Sequence, residues 1–74
     1  MPWNYRVVRI KTQDEYWFQI HEVYYDDKGE IEGMTLKAVN PAGENLQELK
    51  DDLKYMLAGL DKPIIDYETS KEIE

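Results

Sequence analysis

Alternation of apolar and polar side chains marks the N-terminal half of the chain as β-structure. From Trp3 to Lys11 the run Trp-Asn-Tyr-Arg-Val-Val-Arg-Ile-Lys is rich in aromatic and β-branched residues. It is bounded by Pro2 and by the polar Thr12, Gln13 and Asp14, which predicts a first strand. Residues 15–25 form a second aromatic run whose side chains suit a pleated, half-buried surface better than an exposed helix. Asp26, Asp27, Lys28 and Gly29 supply turn chemistry, with Gly29 suited to the left-handed position of a short hairpin loop. Residues 30–39 are then expected to return antiparallel as a third strand.

The period changes after Asn40, Pro41, Ala42 and Gly43, which interrupt regular structure. Asn45, followed three positions later by Glu48, has the form of a capping box. Leu46, Leu49, Leu53, Met56, Leu57 and Leu60 follow helical spacing and make one apolar stripe, with Glu48, Lys50, Asp51, Asp52 and Lys54 on the flank and opposite face. Gly59, Asp61 and Pro63 mark the helix end. Residues 63–67 suit a short last strand or a packed tail, and the polar residues 69–74 are expected to fray. The expectation is one α+β domain over residues 1–68: a three-stranded antiparallel meander followed by one helix packed on the sheet, β-β-β-α, with an optional C-terminal strand.

One helix covers one face of such a sheet. In the second strand Tyr16, Phe18 and Ile20 lie on one side and Trp17, Val23 and Tyr25 on the other, unless a bulge near His21 and Glu22 shifts the phase. Seven of the nine aromatic residues fall within the first 25 positions. Those not beneath the helix must pack on the tail, on a second copy or on another protein.

Composition narrows the functional classes. With 74 residues and no cysteine, the chain has room for one core and no disulfide. A lone histidine gives no Cys/His zinc site. No run approaches a membrane span and the first residues lack the order of a signal peptide, so a cytoplasmic location is the default expectation. The formal net charge is -7, and residues 44–74 carry nine acids against four bases. That balance disfavours nucleic acid as a direct ligand. Arg6, Arg9 and Lys11 are read as charges that guard an edge strand.

Catalytic constellations are weak. His21 and Glu22 are strand neighbours whose side chains leave opposite faces, so His21 is read as a structural or surface residue. Asp26, Asp27 and Glu30 around Gly29 do not match a calcium loop. The only serine, Ser70, lies in the expected tail, and Pro41-Ala42-Gly43-Glu44 is no phosphate loop. A hydrolase using Glu22 and His21 would need a bulge to bring them together. No enzymatic activity and no cofactor or metal are expected.

Gly43-Glu44-Asn45-Leu46-Gln47-Glu48-Leu49, preceded by three strands, resembles the turn into the sheet-packed helix in the N-terminal lobe of HicB-type antitoxins. The downstream DNA-binding segment of that family has no counterpart here, so the resemblance implies the fold of the lobe and not autoregulation. His21-Glu22-Val23-Tyr24-Tyr25-Asp26 and Leu60-Asp61-Lys62-Pro63 are similar to small uncharacterised bacterial proteins of this length, which implies no activity. The leading expectation is a bacterial protein–protein interaction module that binds itself, as a homodimer, or another protein. Trp3, Tyr5, Trp17 and Tyr25 are its contact candidates. The alternative is an acidic mimic of nucleic acid, presenting Glu44, Glu48, Asp51 and Asp52 to a DNA- or RNA-binding protein.

Overall fold

The structure, a computed structural model, describes residues 2–73; the first residue of the expected domain and the last of its expected frayed tail lie outside them. Four strands, β1 (Trp3–Lys11), β2 (Tyr16–Tyr25), β3 (Ile31–Met34) and β4 (Ile65–Asp66), and one helix, α1 (Leu46–Gly59), make an α+β fold. The sheet order is β3-β2-β1-β4. The first three strands are antiparallel neighbours as expected, but β4 runs parallel to β1, so the sheet is mixed.

Turn chemistry sets the register. Between β1 and β2 the Thr12 amide and hydroxyl both donate to the Glu15 carbonyl. Between β2 and β3 one carboxylate oxygen of Asp26 accepts from the amides of Lys28 and Glu30, and Gly29 takes a φ of 81°. The β1/β2 register is unbroken, with Arg6 opposite His21, and the only register shift lies between Tyr24 and Tyr25 on the β3 side. The bulge considered near His21 and Glu22 is absent from that pairing.

The third strand is shorter than the expected residues 30–39. The Thr35 carbonyl and hydroxyl lie 2.8 and 3.2 Å from Nδ1 of His21, and this side-chain contact ends the ladder. Beyond it, the Val39 amide rejoins β2 by donating to the Ile20 carbonyl.

One sheet face carries the dry core. Val8, Val23 and Ile65 are fully buried there, with Tyr25, Ile31, Met34 and Tyr67 packed around them. The C-terminal segment closes over it and does not fray through residues 69–73. Ile65 bridges to Glu72, the Asp66 amide donates to the Lys71 carbonyl, and the Ile73 amide donates to the Ile64 carbonyl. Arg6, 4% exposed, anchors the fold-back: it donates to the Tyr25 hydroxyl, the Pro63 carbonyl and the Glu72 carboxylate. Burial opposes its charge, yet the Glu72 and Tyr25 hydrogen bonds leave the guanidinium held more firmly protonated than usual.

β1 is therefore paired on both sides at Val8 and Arg9, and the edge-guarding role expected for Arg6 and Arg9 does not hold. Arg9 lies 4.1 Å from the Tyr16 ring centre and 3.6 Å from the Asp66 carboxylate. His21 is the structural histidine of the two readings. It is fully buried, with Nε2 2.9 Å from the Gln19 amide nitrogen and Nδ1 against Thr35.

Candidate interaction surface

Helix α1 starts where the sequence places it. Asn45 accepts the Glu48 amide through its side chain, and the Glu48 carboxylate accepts the Glu44 amide in return. The helix does not, however, lay its leucine stripe on the sheet. Two contacts with Tyr5 set its rotation. The Tyr5 hydroxyl donates to Asp52, whose other oxygen accepts the Ala42 amide. About two turns further on, Gly59 approaches the Tyr5 backbone so closely that a Cβ there would collide with the Tyr5 carbonyl oxygen.

Met56 and Gly59 are the buried helix positions, together with half-buried Leu49 and Asp52. At 3.6 residues per turn, this line runs roughly a quarter-turn from the one through Leu46, Leu53, Leu57 and Leu60. Those four leucines are 48–66% exposed. Burial and the Asp52 carboxylate together push the Tyr5 hydroxyl well above its usual range, so it remains a donor across the physiological interval.

Three of the displaced leucines, Leu53, Leu57 and Leu60, form one wall of an open groove of about 480 Å³. Phe18 and Ile20 of β2 form its floor, and Ala38, Val39 and Pro41 form the opposite bank. Phe18 is 53% exposed. The groove is a contiguous apolar concavity on a chain with 34% charged residues. Lys50 and Lys54, one helical turn from Leu53 and Leu57, edge it and make no ion pair among the described residues.

The expected contact residues divide between two faces. Trp3 and Tyr5 lie on the helix side, in edge-to-face contact at 5.1 Å, while Trp17 and Tyr25 lie on the tail side. Only Trp3 and Trp17 present large exposed areas. Tyr5 is buried beneath the helix, and Tyr25 is bonded to Arg6 and Asn4. The four acids likewise make no single face. Asp52 turns to the sheet, Glu48 closes the cap, Asp51 accepts from Gln47, and Glu44 alone carries no such side-chain bond. Sequence reasoning missed Leu53 and Leu57 as surface residues because apolar helical spacing reads as core, and missed Phe18 because its strand face was expected to lie beneath that stripe. A usable signal was the width of the stripe, six large apolar side chains on a single helix.

Among the described residues no group of three or more His, Asp or Glu side chains is placed to hold a metal, and no helix is long and apolar enough to cross a membrane. No family model, curated protein or solved structure matches the chain. The molecule is thus defined by its class of fold, a mixed four-stranded sheet with one helix, and the HicB-type resemblance rests on the residues that suggested it.

Proposed function

We propose that this protein is a small non-catalytic module for protein–protein association, with the leucine flank of α1 and Phe18 of β2 as its contact surface. The observation that carries the reading is the groove itself: Phe18, Leu53, Leu57 and Leu60 are each about half exposed, side by side. The partner is a second copy or another protein with a complementary apolar ridge. The unpaired Lys50 and Lys54 favour acid groups at the rim of that ridge.

Sedimentation equilibrium over a wide concentration range tests the reading, with wild type compared to Leu57→Lys and Trp17→Ala. Wild-type dimers that Leu57→Lys abolishes, with its circular dichroism unchanged, identify a second copy as the occupant. A wild-type monomer sends the same three proteins to partner capture, where Leu57→Lys is the variant expected to lose recovery. If Leu57→Lys associates and captures as well as wild type while Trp17→Ala does not, the contact belongs to the tail face and this assignment is wrong.

A further inference from the structure

On the other flank of α1 lies a second concavity, separate from the leucine groove. Its volume is about 290 Å³, and it is lined by Trp3, Asn4, Tyr5, Tyr55, Ala58, Gly59 and Lys62. The Trp3 and Tyr5 rings meet at 84° and make a fixed corner. Opposite them the helix offers Ala58 and Gly59, whose small size leaves the space open. An apolar cavity of about 150 Å³ already admits a single benzene ring, so this one has room for two fused rings.

Polar chemistry at the site is confined to its mouth. Lys62 is the only charged residue in the lining and makes no ion pair among the described residues. The two acids that act on Tyr5 are engaged elsewhere: Asp52 with the Tyr5 hydroxyl and the Ala42 amide, Glu22 with the Tyr24 hydroxyl. The Asn4 side chain accepts from Tyr25 on the far face of the sheet. A ligand entering here meets aromatic walls, one unpaired cation and no lining carboxylate.

We infer that this pocket binds a small amphiphilic anion, with its ring system against Trp3, Tyr5 and Tyr55 and its carboxylate at the Lys62 ammonium. The site does not depend on the leucine groove.

Three probes of one shape test it by calorimetry and by NMR of the wild-type protein: 2-naphthoate, 2-naphthamide and 2-naphthylmethylammonium. Naphthoate is expected to give saturable shifts at the Trp3 indole and the Ala58 and Gly59 amides. The amide should bind about three- to fivefold more weakly, as should naphthoate to Lys62→Gln. Ala58→Phe should fill the space and abolish binding; the probe series needs no variant, so the test survives if Ala58→Phe misfolds. Leu57→Lys should bind naphthoate as wild type does, which separates this site from the association surface. The inference is overturned if naphthoate gives no saturable shift up to its solubility. It is overturned equally if the ammonium probe binds as tightly as naphthoate, the result expected of a cation site made of aromatic faces.

Discussion

The two faces of the sheet are sealed in opposite ways. The face beneath the C-terminal segment is covered by an irregular fold-back that follows a two-residue strand, yet it buries Val8, Val23 and Ile65 completely. The face beneath α1 is covered by a fourteen-residue helix, yet Leu46, Leu53 and Leu57 of that helix and Leu60 at its C-cap remain 48–66% exposed. The difference lies in what fixes each cover. Arg6 bonds the tail at Pro63 and Glu72, so short apolar side chains are pressed onto the sheet. Tyr5 bonds the helix through Asp52 and Gly59, and this contact turns the leucines aside. Amount of regular structure is a poor guide to burial; the few polar contacts that set orientation decide which apolar surface leaves water.

Truncating one apolar side chain under each cover tests this contrast most severely. Ile65→Ala should cost about 2–5 kcal/mol, the range for deleting a fully buried aliphatic side chain in a close-packed core. Leu57→Ala, at 63% exposure, should change stability by less than about 0.5 kcal/mol. Urea unfolding of the two variants under conditions where the protein is monomeric measures both. Equal losses would show that the leucine flank is packed in solution and that no open groove exists. Next in size is Gly59→Ala. The added methyl meets backbone and not a yielding side chain, so α1 must lift from Tyr5 at a cost of about 1–3 kcal/mol, with exposure of Met56 to probes. Unchanged stability would show that the helix does not sit so close to β1.

Local signals carried most of the elements. The first strand, the hairpin at Asp26 to Gly29 and the Asn45/Glu48 cap were all legible, because each is set by residues within a few positions of one another. The long third strand was not, because a buried histidine from β2 competes for the Thr35 carbonyl. The parallel placement of β4 and the ordering of residues 69–73 go with contacts of Arg6 to Pro63 and Glu72, 57 and 66 positions away, and composition alone reads that polar segment as solvated. The site failed at the same level. Helical spacing identified the leucines correctly as one stripe, but which stripe faces the sheet is decided by a tyrosine hydroxyl and a glycine, neither of which registers as hydrophobic.

The polar fasteners of the two faces should also answer to opposite ends of the pH scale. Tyr5 is held protonated above its ordinary value by burial and by Asp52, so its contribution is complete below the unfolded tyrosine value, about 10. That contribution is lost as pH rises towards the folded value, because the unfolded chain ionises first. Tyr5→Phe should therefore be about 1 kcal/mol less stable than wild type at neutral pH, with the gap narrowing in alkali. On the tail side the Asp66 carboxyl is held below its usual range, chiefly by the Thr69 amide, with a smaller contribution from Arg9. Its contribution is present above the unfolded carboxyl value and lost as pH falls through the folded one, the reverse order. Asp66→Asn should then be slightly less stable than wild type throughout the neutral and alkaline range, with the gap closing as pH falls, so that its acid limb is the shallower of the two. The effect is the smallest of the set because the carboxylate is partly solvated. Thermal unfolding from acid to alkali separates the two, and an acid limb identical in wild type and Asp66→Asn would remove Asp66 from the fastening of the tail.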